Sequence, residues 1–260
     1  GVGALLYVAA YILIGWLLLA LVILFDGKLS FPRLLARSGI FRILLILLAI
    51  ALAVFTVKLQ LDSLQGGPDS YIHGTQLARH DAVLGGQAPD PWQYRVLAEY
   101  VAEGFVRLFQ FLKVRDAIGF GFISLRILQN AAIFLLAFAL YHKISNSKWI
   151  ALTGMFLLAG SMRNAFYDND LSFNTYFDLI FYLLSVWLIL YSKYYCVAHV
   201  TVFAALNRET SGMIPFLLLA ALVTEQAPMR KKLLPFIFSG VIFLVIFLGL
   251  RVLYPDRPLY

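Results

Sequence analysis

Apolar residues run along this chain in long blocks, broken by short polar connections and one long one. Five blocks, Val2 to Phe25, Ile40 to Leu59, Ala117 to Tyr141, Phe173 to Tyr191 and Leu233 to Tyr254, approach the length that a helix needs to cross a hydrocarbon core of about 30 Å. Three are shorter: Trp149 to Met162, Tyr195 to Leu206 and Gly212 to Val223. The last two flank Asn207-Arg208-Glu209-Thr210. At a rise of 1.5 Å per residue each covers roughly 18 Å, which predicts that the ionic turn lies below the membrane surface. A charge pair at that depth is costly unless protein or a wet cavity surrounds it, so the turn is a candidate site. The pattern predicts an all-α fold, a polytopic transmembrane bundle of about eight membrane segments in a single domain. Val2 to Phe25 is too long for a signal core and lacks a basic start and a small-residue cleavage site, so it reads as a span. Residues 1–37 hold this extra span and the connection after it, and 38–260 form the remaining bundle.

The long connection, residues 60–116, carries local order of its own. Asp90-Pro91-Trp92-Gln93 offers an N-cap aspartate, a proline for the first helical position and a glutamine placed to complete a capping box. Beyond it Tyr94, Leu97, Ala98, Val101, Phe105, Leu108, Phe109 and Leu112 recur at three- and four-residue steps. Arg95, Glu99, Glu103, Arg107 and Lys113 take the other face, which predicts an amphipathic juxtamembrane helix. Upstream, Gly66-Gly67-Pro68-Asp69 reads as a turn in which Asp69 caps a second short helix through Tyr71, His73, Leu77 and Ala78, broken at Gly85-Gly86.

Composition narrows the class. With 62% hydrophobic and 13% charged residues and a mean hydropathy of +0.83, the chain is not a water-soluble globule. Its net charge of +7 comes from basic residues gathered at span ends, a distribution that sets orientation and meets lipid headgroups rather than nucleic acid. Lys28, Arg33, Arg37 and Arg42, then Lys143 and Lys148, then Lys193, then Arg230, Lys231 and Lys232 mark four connections as cytoplasmic. The 60–116 connection, the one around Asp168 and Asp170, and the Arg208-Glu209 turn then face outward together. The single cysteine, Cys196, excludes an internal disulfide, and its apolar setting predicts burial.

A spanning helix, a large outer loop with an aspartate near its start and two juxtamembrane helices, then further spans, resembles the GT-C superfamily of membrane glycosyltransferases. Pro91-Trp92-Gln93-Tyr94-Arg95-Val96-Leu97 and Leu206-Asn207-Arg208-Glu209-Thr210-Ser211 are similar to strings in bacterial membrane proteins of that type. The resemblance spans Ile40 to Tyr254, and the extra helix before it departs from the usual family order. It implies an integral protein of the bacterial inner membrane that transfers a sugar from a polyprenyl-phosphate carrier to an acceptor on the extracytoplasmic side. The reaction needs a carboxylate for the acceptor proton and cations for the departing phosphate. Asp69 matches the family's first-loop aspartate as general base, with Asp168 or Asp170 assisting. Arg208 and Arg95 would hold the phosphate, and Glu209 would orient Arg208.

Each residue has a plainer reading. Asp69, Asp168 and Asp170 sit where helix caps are expected, Arg208 with Glu209 suits a structural ion pair, and Arg95 suits snorkelling to headgroups. Arg126, Gln129 and Asn130 share one face of an apolar span and point into the bundle, for interhelical hydrogen bonding or for a substrate path. Asp69 with His73, and His80-Asp81, give weak spacing for a divalent metal, and no cofactor is implied. His142 reads as interfacial and His199 as packed. No Walker loop, dinucleotide fingerprint, zinc motif or serine elbow occurs. The competing expectation is a noncatalytic subunit of a larger membrane complex, or a transporter part whose helix ends meet a ligand.

Overall fold

The computed structural model describes residues 38–64, 66–163, 171–224 and 228–254. The expected span Val2 to Phe25, the basic residues Lys28, Arg33 and Arg37, and the aspartates Asp168 and Asp170 lie outside the described residues. The chain is all-helical, with no strand among the described residues. In order come α1 (Ser38–Asp62), α2 (Gly67–Ser70), a π-helical turn (Tyr71–Gln76), α3 (Leu77–Leu84), a 3-10 turn (Trp92–Tyr94) and α4 (Val96–Phe111). Then follow α5 (Ala117–Ser145), α6 (Lys148–Met162), α7 (Phe173–Leu190), α8 (Tyr194–Asn207), a second 3-10 turn (Glu209–Met213), α9 (Ile214–Thr224) and α10 (Met229–Leu253).

Among the described residues, four helices are long and apolar enough to cross a membrane: Gly39–Asp62, Ala117–Ser145, Phe173–Leu190 and Leu233–Leu253. They coincide with four of the five long apolar blocks. α6, α8 and the Glu209–Ala221 stretch are shorter apolar helices. α5 is the hub, packing against α1, α4, α6 and α7, and it buries Phe122, Leu125, Ile133 and Phe134. A second apolar cluster joins α7, α8 and α9 through Ile189, Val197, Ala204, Ile214 and Leu218, and α10 packs on α8 and α9. α1 and α10 turn Ile43, Leu47 and Ile50, and Phe238, Val241 and Val245, outward. Such rows would be costly in water and are satisfied by lipid tails, which fits an integral membrane protein.

Caps explain the breaks. The Asp116 carboxylate accepts from the Gly119 amide at 2.9 Å and starts α5, which ends at Asn146 in the left-handed region. Ser147 then caps α6 through the Ile150 amide at 3.4 Å. Arg208, fully extended at φ −161° and ψ 145°, stops α8 and turns the chain toward α9.

The long connection departs from its sequence reading in three ways. Gly66, at φ 82°, makes the turn before α2, so Asp69 lies in the first helical turn and does not cap it. The helix expected from Asp90 begins instead at Val96. Gln93 is buried and spends its amide elsewhere, accepting from the Ala88 amide at 2.9 Å and donating to the Val83 carbonyl at 3.3 Å, so no capping box forms. The buried stripe of α4 is Ala98, Glu99, Ala102 and Val106, while Leu108 and Leu112 are exposed. Small residues win the inward face because α4 lies close on α5: a Cβ on Gly121 would stand 3.0 Å from Val106. On α8, Cys196 and His199 are exposed, since the buried face is taken by Tyr194, Val197, Ala198, Thr201 and Ala205.

These contacts gather the polar segments at one end of the bundle. Gln60 Nε2 donates to the Met162 carbonyl at 2.7 Å, Asn207 Nδ2 to the Asn174 carbonyl at 2.8 Å, and Arg251 lies over the Tyr94 ring. At the other end Lys143 lies over Tyr191 and Lys148 over Phe41. Between α5 and α6 there, Tyr141, Trp149, Ile150 and Leu157 line an open apolar groove of about 710 Å³.

Candidate functional site

The first turn of α7 lies between two arginines. Arg126 comes from mid-α5 and is 1% exposed. Its Nη2 donates to Gln76 Oε1 at 3.3 Å and to the Tyr71 hydroxyl at 3.4 Å, while Nη1 has no partner. Its carbon centre sits 4.8 Å from the Phe173 ring centre and 5.6 and 5.8 Å from those of Tyr71 and Tyr176. No carboxylate among the described residues approaches it within ion-pair distance. The wide π-helical turn delivers Tyr71 and Gln76 together, with the Tyr71 hydroxyl donating to Gln76 Oε1 at 3.1 Å. Gln129 and Asn130 share Arg126's inward face as expected. Gln129 Nε2 reaches the Phe173 carbonyl at 2.9 Å, whereas Asn130 bonds back to the Arg126 carbonyl in its own helix.

Arg208 stands on the other side of the same turn. Its Nη1 donates to Thr175 Oγ1 at 3.3 Å and its Nε is unpartnered. One turn further along α7, Asp178 Oδ2 accepts from Thr210 Oγ1 at 2.8 Å while Oδ1 has no partner. Tyr182 closes the edge by donating to the Thr210 carbonyl at 2.6 Å. Arg208 and Asp178 feel each other's charge without forming an ion pair. Sequence reading passed over Asp178, although it is the one carboxylate within the Phe173 to Tyr191 block and so met the rule that intramembrane ionisable groups are sites.

Arg95 and Glu209 form the tie between the long connection and the ionic turn. Arg95 Nε donates to Glu209 Oε2 at 3.2 Å and Nη2 to Glu209 Oε1, a bidentate fork. Glu209 therefore orients Arg95 and not Arg208, which corrects the expected pairing. Arg95 is 8% exposed and stacks 4.8 Å from the Trp92 ring centre, opposed by Arg79 at 4.0 Å, so it does not snorkel.

Asp69 stands apart, with its side chain 93% exposed. Beside it lies His73, whose Nε2 is 3.6 Å from Asp69 and 3.5 Å from Asp116 at the start of α5. No contact joins it to Arg208 or Arg126 among the described residues.

A fourth cluster locks α3 onto α4. His80, 3% exposed, holds Glu99 at 2.9 Å through Nδ1 and Glu103 at 3.2 Å through Nε2, with its ring edge against Phe122. Burial opposes the charged imidazole, but hydrogen bonds and charge from both glutamates outweigh it and raise the His80 pKa above 6.5. Arg107, at 2.6 Å, lowers the Glu103 pKa against a smaller opposing effect of burial. The spacing of Glu99 and Glu103, four apart and like-charged, was the available signal that a cation sits between them. Each ring nitrogen of His80 is thereby taken up by a carboxylate.

Compared with protein family models, curated proteins and solved structures, the chain has no match.

Proposed function

We propose that this chain is a membrane glycosyltransferase-like protein, which transfers a sugar from a polyprenyl-phosphate donor to an acceptor at the α7–α8 end of the bundle. In this reading Val2 to Phe25 and the shorter helices α6, α8 and α9 complete eight membrane segments, and the site faces the extracytoplasmic side of a bacterial inner membrane. The observation that carries it is the placement of Arg208 on Thr175 and of Asp178 on Thr210, one turn apart along α7, opposite in charge and each with a free polar atom. A phosphate leaving group needs the first and a hydroxyl acceptor needs the second. The acceptor oxygen bonds to the sugar carbon as its proton passes to a carboxylate. The bond from that carbon to the phosphate oxygen breaks, and its electron pair leaves on the phosphate beside Arg208. Asp178 lies one helical turn from Arg208's partner Thr175, whereas Asp69, the base implied by the family resemblance, reaches the reaction only if the donor extends across the outer face. Asp168 and Asp170 remain assisting candidates, and Arg95 with Glu209 holds the frame.

The test is transfer from a lipid-linked sugar by the purified full chain, comparing Arg208→Ala, Asp178→Asn and Asp69→Asn. Arg208→Ala and one of the two aspartate variants should lose about 100-fold or more. Full activity in all three overturns the reading. A second reading, a noncatalytic subunit, is favoured by the Arg95–Glu209 tie and the remoteness of Asp69. It requires that Arg95→Ala release a partner chain without any transfer activity in the wild type.

A further inference from the structure

We propose that Arg126 anchors a recessed binding site for a phosphate oxyanion, built with Gln76 and Asn174 at the N-terminal turn of α7. This deepens the reading above, and rests on it only for the source of the phosphate.

Arg126 is a full positive charge removed from water in the middle of the helical core, with neutral partners at long hydrogen-bond distance and ring faces around it. Buried ions persist when paired, and ring faces meet only part of that demand. The unpartnered buried atoms at this end of the bundle include three donors, alongside the acceptors Gln129 Oε1 and Asn130 Oδ1 on the inward face of α5. Arg126 Nη1, Gln76 Nε2 and Asn174 Nδ2 all lack partners, on residues no more than 2% exposed. The Gln76 amide cannot be turned over, because its oxygen already accepts from both Tyr71 and Arg126. The guanidinium stacks on Phe173, the first residue of an 18-residue helix whose start carries the positive end of its dipole. A cation with a free N–H, two further free amide donors and a helix start favour a ligand with negative charge. A planar guanidinium suits phosphate oxygens. Arg126 and Arg208 flank the same turn from opposite sides, Arg126 at Phe173 and Arg208 at Thr175.

The test uses the full chain in phosphate-free detergent, with farnesyl phosphate, farnesol and inorganic phosphate as probes and binding read by native mass spectrometry and thermal shift. Farnesyl phosphate should bind at least about 10-fold more tightly than farnesol, because the alcohol leaves Arg126 uncompensated. Arg126→Gln should remove that preference, Asn174→Ala should weaken it several-fold, and Arg107→Ala should leave it unchanged. Competition by inorganic phosphate at similar concentration assigns the site to the free anion, and weak competition assigns it to a lipid headgroup. Should Arg126→Gln fail to fold, Asn174→Ala and Gln76→Leu decide the matter. Equal binding of farnesyl phosphate and farnesol, or unchanged preference in the Asn174 and Gln76 variants, overturns the proposal. Phosphate binding without sugar transfer sinks the glycosyltransferase reading and leaves this site standing. Transfer with no phosphate preference does the reverse.

Discussion

His80 and Arg126 are two buried cationic side chains solved in opposite ways. His80 lies between Glu99 and Glu103, each ring nitrogen on a carboxylate, and Arg107 balances the surplus negative charge. Arg126 has one amide, a phenol and aromatic faces, and no acid among the described residues. The first cluster is complete in itself, which is what a structural clamp between α3 and α4 requires. The second is complete only with charge from elsewhere. In a bundle where intramembrane charges are costly, the difference between a closed account of charges and an open one separates scaffold from site.

The largest effect should come from opening the closed cluster. His80→Ala leaves Glu99, 4% exposed, without its cation, and breaking such a buried pair costs about 3–5 kcal/mol. Thermal unfolding in detergent should show a large drop, and a shift as small as that of a surface substitution would mean Glu99 finds water. The pH profile sharpens the same point. A raised His80 pKa contributes stability that is full below 6.5 and lost as pH climbs through the raised value. The lowered Glu103 pKa contributes above 4.5 and is lost as pH falls through the lowered value. Wild-type stability should therefore be highest between about pH 4.5 and 6.5, and His80→Ala should lack the alkaline decline.

What was legible in sequence divides along the same line. The four long helices are legible as long, predominantly apolar runs, and the inward face of Arg126 and Gln129 in their three-residue spacing, because both follow from composition and the helical period. The partner of a charge is not. Glu209 was assigned to Arg208, its chain neighbour, but the extended backbone at Arg208 throws the two side chains apart, and the fork of Arg95 reaches Glu209 from 114 residues away. The expected apolar face of α4 holds at Ala98 but not at Leu108 and Leu112, because the close approach of α4 to α5 at Val106 and Gly121 turns Ala102 and Val106 inward instead. Asp178 was visible as a lone acid in an apolar block and was missed beside the more conspicuous loop aspartates.

Arg95→Ala stands between the two extremes. It removes a bidentate tie, but Glu209 keeps 31% of its side chain exposed and can turn to water. A loss of about 1–2 kcal/mol is expected, well short of His80→Ala. Because the tie is the charged link between the long connection and the α8–α9 turn, limited proteolysis of the 60–116 connection should accelerate in this variant. Unchanged proteolysis together with unchanged unfolding would place the anchoring in the Trp92 stack instead.

Arg126→Met should have the smallest effect on stability. Removing the guanidinium forfeits its contacts with Phe173, Tyr71 and Tyr176, worth about 0.5–2 kcal/mol, and also ends the cost of holding an unpaired charge out of water. These oppose each other, and methionine fills irregular apolar space, so unfolding should shift by less than about 1 kcal/mol. Ligand then reveals the asymmetry. At one hundred times its dissociation constant, farnesyl phosphate should stabilise the wild type by about 2.7 kcal/mol and leave Arg126→Met unmoved. If Arg126→Met instead unfolds as readily as His80→Ala in the absence of ligand, Arg126 is a structural cation after all, and the contrast between the two clusters disappears.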